Sequence, residues 1–321
     1  MRILKLAIGL VLAAHLGFAS AQTWPAKPIR LVIAFPPGGG ADAVARPIAE
    51  ALSRQLGQTV LVDNRPGGGA TIAAAIVATA APDGYTLFMH NASLYGSLQA
   101  LYKDFKFGGK DYTPITRWTS APLLVAVSNE LGVNSIGELV ARAKAQPGKL
   151  NYASSGVGGG THLPGLLFMR QAGIDMIHVP YKGGAPALQG VVTGETQLTF
   201  ATPPSALPLA RAGRIKTIAV TSGQRSPLFP ELPTVAESGV AGYDFSFWFG
   251  LFGPAGLPEA IVSKLFEASK KVLGDPALRE RLVASGNEPS PSLSPAEFRE
   301  WAAKSGAGDL ELTLASGARI D

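Results

Sequence analysis

Apolar and polar positions along this chain follow two periods that take turns. Short β-branched or aromatic runs occur at 29–35 (IRLVIAF), 59–63, 85–89, 123–127, 150–154, 176–181, 196–201 and 215–221. Between them the period lengthens to that of a helix, at about 42–56, 71–80, 135–145, 161–172, 184–193 and 204–212. Unbroken apolar strands alternating with helices predict mainly parallel sheets covered on both faces, an α/β architecture. In the first helical stretch Val44, Ile48 and Leu52 share one stripe, with Glu50 and Arg54 off it. Asp42 is placed to cap its start, while Pro47 removes a backbone donor after the first turn and predicts a kink or a late start. Ser135 followed by Glu138 predicts a capping box for the 135–145 helix.

The end of the chain follows a different pattern. After FSFWFGLFGPAG (245–256) come helical stretches near 258–273, 276–285 and 295–304, with no strong new strand. This predicts two domains, residues 22–120 with 246–321 forming one and 121–245 the other, so that the last helices return to the first. The aromatic cluster of Phe245, Phe247, Trp248 and Phe249 fits core or interdomain packing better than a ligand shelf.

Residues 1–21 form a unit of their own. Arg2 and Lys5 precede an apolar stretch from Leu6 to Phe18, and Ala19-Ser20-Ala21 is a small-x-small cleavage site. That stretch is 13 residues long with His15 inside it, short of the roughly 17–25 apolar residues that span a bilayer. The pattern predicts a cleaved signal peptide, export, and Gln22 as the mature N-terminus.

Composition narrows the function classes. With 46% hydrophobic and 16% charged residues the chain lies far from the disordered corner of composition. The absence of cysteine removes disulfide scaffolds, thiolate metal sites and thiol nucleophiles. A net charge of +5 from scattered Lys and Arg gives no case for nucleic acid.

Two glycine-rich turns that each lead from a strand into a helix carry the chemistry. Phe35-Pro36-Pro37-Gly38-Gly39-Gly40-Ala41-Asp42 is the first, and Ser155-Gly156-Val157-Gly158-Gly159-Gly160-Thr161-His162 the second. Glycine lets backbone N–H groups turn inward, and a helix start adds the positive end of its dipole, so each turn is a ready anion site. Together the two could grip one anion from both sides at the carboxyl ends of strands. Asn91 and Ser93 follow the third strand, where they either reach the same cleft or serve the turn itself. Lys182 lies in a further Gly turn, where it either pairs with an anion or stays solvated, and Asp63-Asn64-Arg65-Pro66 reads as structural bracing.

Other chemistries are poorly supplied. Gly38-x-Gly40-x-x-Ala43 formally matches a dinucleotide fingerprint, but two prolines precede it, and no Gly-Lys-Ser or Gly-Lys-Thr occurs. No cofactor is expected. His90, His162 and His178 form no H-E-x-x-H, and no Gly-x-Ser-x-Gly elbow is present. His178 sits in an apolar strand as a core histidine, whereas His162 could donate to a ligand or to a turn carbonyl. No catalytic or metal-binding set is expected.

Seven stretches in order resemble the substrate-binding proteins of tripartite tricarboxylate transporters, the Bordetella uptake gene family. They are residues 24–46, 63–74, 81–89, 146–163, 173–188, 215–239 and 248–258, and they cover nearly all of the mature chain. The resemblance implies a two-domain, Venus-flytrap periplasmic receptor for a small carboxylate, a di- or tricarboxylate or an aromatic acid. It further implies a monomer, without enzymatic activity, that hands its ligand to membrane permease subunits; a receptor for a membrane sensor kinase and a periplasmic carboxylate-processing enzyme are the alternatives. The implied ligand residues are Phe35, Pro37, Gly38, Gly39, Gly40, Ala41 and Asp42 of the first turn. Asn91, Ser93, Ser155, Gly158, Thr161 and His162 are expected to fix the rest of the ligand. Many relatives carry Phe-Asp-Asn where this chain has Phe200-Ala201-Thr202, so Ala201 and Thr202 join the site without an acidic side chain.

Overall fold

The computed structural model of this chain describes residues 24–316. The expected signal segment, residues 1–21, lies outside the described residues.

Two mixed sheets organise the molecule. The first has strand order β11-β4-β10-β3-β1-β2. Its strands are β1 (Ile29–Ile33), β2 (Val60–Asn64), β3 (Thr86–His90), β4 (Tyr112–Pro122), β10 (Ser246–Pro254) and β11 (Glu288–Pro289). The second, in order β7-β6-β8-β5-β9, uses β5 (Leu124–Ser128), β6 (Asn151–Ser154), β7 (Ile177–Pro180), β8 (Leu198–Ala201) and β9 (Ile215–Val220). Each sheet has a parallel half made by strand–helix–strand crossovers, β2-β1-β3 in the first and β7-β6-β8 in the second. The remainder is antiparallel, because the chain leaves the first sheet through β4 and comes back beside it as β10.

Helices cover both faces. They are α1 (Gly40–Leu56), α2 (Thr71–Ala78), α3 (Ser97–Leu101), α4 (Ile136–Ala145), α5 (Leu163–Ala172), α6 (Gly184–Val192) and α7 (Pro203–Arg211). After β10 come α8 (Glu259–Leu273), α9 (Pro276–Ala284) and α10 (Pro295–Ala315). The alternation of β1 explains why its run is apolar throughout. Ile29, Leu31 and Ile33 face one core with the α1 stripe of Val44, Ile48 and Leu52, while Val32 faces a second core with Phe88, Phe252 and Phe298.

Local expectations are met with two corrections. Ser135 does cap α4, accepting from the Glu138 N–H at 3.2 Å, although the Glu138 carboxylate reaches the N–H of Asn134 rather than that of Ser135. The residue capping α1 is Gly39, not Asp42, and the helix runs unbroken through Pro47. Pro47 is buried and gives up one intrahelical hydrogen bond without breaking the helix. The end of the chain departs further from expectation. Ser246–Pro254, absent from the expected strands, is third in the order of the first sheet; beyond it only the two-residue β11 occurs, and α10 continues eleven residues beyond 304.

Candidate functional site

The elements converge on a cleft between the two sheets. Its walls on the first-sheet side are Phe35, Pro36, Pro37, Gly39, Gly40 and Ala41, with Phe247 and Phe249 from β10. The opposing wall carries Ser155, Gly160, Thr161, Thr199, Phe200, Ala201, Thr202 and Ser205, together with the start of α6 from Gly183 to Leu188. The space is narrow, about 40 Å³ for the centres of water-sized molecules, where one ordered water needs roughly 10–15 Å³.

Backbone donors dominate this cleft. The N–H groups of Gly39, Gly40, Ala41 and Asp42 open α1 and find no acceptor among the described residues. Those of Gly184 and Ala185 open α6 and are likewise free, as are those of Gly160 and Thr161 in the turn before α5. The first few N–H groups of a helix have no intrahelical partner, and the helix dipole makes that end positive. The α1 and α6 starts also lie close together: a Cβ at Gly183 would sit 2.9 Å from Cδ of Pro36. A carboxylate placed there could take several N–H bonds, each worth about 1.5–3 kcal/mol when the acceptor is charged. No Lys, Arg or His side chain lines the cleft among the described residues.

Of the residues expected at the site, Phe35, Pro37, Gly39, Gly40, Ala41, Ser155, Thr161, Ala201 and Thr202 line this cleft. Gly38, Asp42, Asn91, Ser93, Gly158 and His162 do not, and each has a task just behind it. The Asp42 carboxylate is buried and accepts from the Gly38 N–H at 3.0 Å, from Arg46 Nε at 2.8 Å and from Asn64 Nδ2 at 3.1 Å. Burial would raise its carboxyl, but the hydrogen bonds from Arg46, Gly38 and Asn64 outweigh this and hold it below the usual carboxylate range. Asp42 therefore ties Gly38 back onto the helix start. Asn91 caps the turn at 92–95, its Oδ1 accepting from the Ser93 N–H at 3.1 Å, and its Nδ2 lies buried without a partner beside Gly160.

The second glycine turn rests on histidines. Nδ1 of His162 accepts from the Gly158 N–H at 3.1 Å, and the His162 ring stacks on His178 with centroids 4.0 Å apart. His178 Nε2 meets Ser154 Oγ at 2.6 Å, and that hydroxyl takes the Gly156 N–H at 3.2 Å. Burial pushes His162 down to about 3, with neighbouring His178 adding to the effect, and burial pushes His178 to about 4. Both rings stand behind the turn, His162 through the Gly158 N–H and His178 through the Ser154 hydroxyl. The hydroxyls in front of them, Ser155 Oγ and Thr161 Oγ1, bond one another at 2.8 Å and close the turn.

Sequence reasoning missed the donors of Gly184 and Ala185. The Gly-Gly pair is visible in the sequence beside Lys182, but Lys182 is exposed and does not line the cleft. Backbone donors leave no side-chain signature, so only the position of α6 identifies them. The aromatic cluster also divides: strand alternation sends Phe247 and Phe249 into the cleft wall, while Trp248 turns the other way against Trp301 and Phe298.

Comparisons with known proteins agree on the kind of molecule. The family model described as "Tripartite tricarboxylate transporter family receptor" matches residues 44–297. Protein BugT of Bordetella pertussis is 34% identical over 276 residues, covering 84% of this chain and 83% of BugT. Among solved structures, Rpa4515 of R. palustris with adipate is 34% identical and superposes with a TM-score of 0.88, covering 92% of this chain and 100% of that one. MatC from Rhodopseudomonas palustris with bound malate is 31% identical with a TM-score of 0.84, covering 90% and 100%.

Proposed function

This chain belongs to the tripartite tricarboxylate transporter receptor family, whose members are periplasmic solute-binding proteins, and on that premise we propose that it is an exported receptor taking one small carboxylate into the cleft between its sheets. The observation that carries this is the convergence of the unpaired N–H groups of Gly39, Gly40, Ala41, Gly184 and Ala185 on a cleft without charged side chains. Two positive helix ends supply the field that a lysine or arginine would otherwise provide. The α1 turn is the carboxylate clamp, Asp42 and Asn64 hold it in shape, and the turn at 155–161 with Thr202 closes over the rest of the ligand. Relatives binding adipate and malate support the same ligand class here.

In this proposal residues 22–120 with 246–321 and residues 121–245 move as two bodies about the crossings near Ser120 and Ser246, closing on the ligand by hinge motion. The segment 1–21 directs export and is removed. The closed receptor, a monomer without catalytic activity, then engages a membrane permease.

A thermal-shift panel of mono-, di- and tricarboxylates, aromatic acids, amines and sugars tests this on ligand-stripped protein. A carboxylate at 100 times its Kd adds about 2.7 kcal/mol and shifts Tm by several degrees. Stabilisation by amines or sugars alone would refute it. Gly39→Asp is the matching variant. Gly39 has extended φ and ψ of −84° and 176°, and a Cβ there would meet only the Pro36 carbonyl oxygen at an ordinary contact of 3.6 Å, so aspartate fits without backbone strain. Its carboxylate would occupy the clamp, so binding should vanish with Tm of the free protein within a few degrees of wild type.

A further inference from the structure

Every oxygen-bearing side chain on the cleft wall is a neutral hydroxyl: Ser155, Thr161, Thr199, Thr202 and Ser205. Most are already engaged. Ser155 and Thr161 bond each other, Thr199 Oγ1 donates to the Ala153 carbonyl at 2.8 Å, and Thr202 Oγ1 donates to Ser205 Oγ at 3.2 Å. No carboxylate or carboxamide lines the cleft among the described residues. The adjacent acid, Asp42, lies behind the clamp and spends its oxygens on Gly38, Arg46 and Asn64. The rest of the wall is hydrocarbon, from Phe35, Pro186, Leu188, Phe200, Phe247 and Phe249.

We infer that this cleft selects acids that carry no ammonium group, holding their carbon body against the phenyl and proline surfaces. The inference rests on the carboxylate reading above and specifies the class of acid. An ammonium entering here leaves water for a site whose fixed field, from the α1 and α6 starts, has its own sign. It finds no anionic partner, and a buried unpaired charge is costly. A hydrocarbon body meets the opposite conditions, since burying its surface is favourable at every contact. Ala201 is the position that decides this. It is 4% exposed at the end of β8, so a carboxylate there would face the ligand as the missing partner.

Isothermal titration of the mature protein with shape-matched pairs tests the inference. The pairs are succinate and aspartate, glutarate and glutamate, adipate and 2-aminoadipate, phenylacetate and phenylglycine, and 4-methylpentanoate and leucine. In each pair that binds, the acid lacking the amino group should be tighter by at least about 100-fold, in line with other sites that leave a buried polar group unpaired. Ala201→Asp should narrow that ratio at least tenfold, by weakening the plain acid and strengthening its amino partner. An amino acid that binds wild type as tightly as its partner overturns the inference and leaves the carboxylate reading standing. Silence from every pair, in protein that melts cooperatively, overturns both.

Discussion

Asn64 donates from Nδ2 to the Phe35 carbonyl at 2.9 Å and to Asp42 Oδ1 at 3.1 Å, and its Oδ1 accepts from Arg46 at 3.1 Å. One amide at the end of β2 thus joins the segment after β1 and the first two turns of α1. Replacing it with leucine leaves the Phe35 carbonyl and Asp42 short of a donor, at about 1–3 kcal/mol for each group left unsatisfied. Asn64→Leu should lower Tm by several degrees and weaken ligand binding at least tenfold, read by calorimetry and titration. The histidines give a second outcome at this scale. His90 is pushed down to about 4 by burial, against a smaller opposing effect of Asn91, and joins His162 and His178 as a ring neutral when folded. The Asn91 N–H donating to its Nδ1 at 2.7 Å requires that nitrogen to be unprotonated. Since the unfolded chain takes these protons near pH 6.5 and the folded chain does not, stability is full above that pH. It falls towards pH 4 by about 1.4 kcal/mol per pH unit for each histidine. Tm should therefore drop steadily between pH 7 and 5. His162→Asn, which keeps an acceptor for Gly158 but does not titrate, should reduce that slope by about a third.

At the scale of elements, the glycines of the clamp divide by conformation. Gly38 has a φ of +79°, where other residues are strained, but Gly40 lies in ordinary helical space. Gly40 is small for a different reason: a Cβ there would overlap Thr202 Oγ1 and lie 2.8 Å from its Cβ, across the cleft. Gly40→Ala should thus fold normally yet bind ligand at least tenfold more weakly, and Thr202→Gly in the same chain should restore most of the loss. Wild-type affinity in the single variant would remove this role from Gly40. The same contrast between local pattern and distant contact explains what the sequence revealed. The eight apolar runs and the nine helical stretches are local signals, and the structure contains an element at each. No strand is expected over β4, which Pro114, Arg117 and Pro122 interrupt, yet β10 pairs with it at nine positions with two irregularities. In β10 both faces are buried, so its aromatic run shows no alternation. α10 carries Gly306 and Gly308, which read as an end. Gly306 instead lets the helix pack onto Tyr95, where a Cβ would lie 3.0 Å from the Ala92 carbonyl. For the site, the α1 turn was legible because glycine, proline and a helix start coincide. The α6 contribution was not, because its partner at Pro36 is nearly 150 residues away.

For the whole molecule, the two sheets share one continuous core that runs from Ile29 and Leu31 through Trp118 to Val125 and Tyr152. A further tie lies on the surface, where Arg170 of α5 approaches Glu311 of α10 at 3.8 Å. Both partners are well exposed, so this pair adds little to stability. Small-angle scattering should show the radius of gyration shrink or stay constant on ligand addition, and an increase would contradict closure about the proposed crossings.

The place of β10 in the first sheet has a consequence for how the chain comes to be folded. β3 and β4 are made early, yet they are joined only through a strand that follows them by more than a hundred residues. During synthesis the second sheet, whose strands all lie between 124 and 220, has its full complement while the first is still two unconnected pieces. Contacts so distant along the chain form slowly. The half that begins first is therefore finished last, and the exposed edges of β3 and β4 must wait in the meantime. On the export proposed above, that delay would keep the chain open for passage across a membrane until β10, which begins at residue 246, has been made.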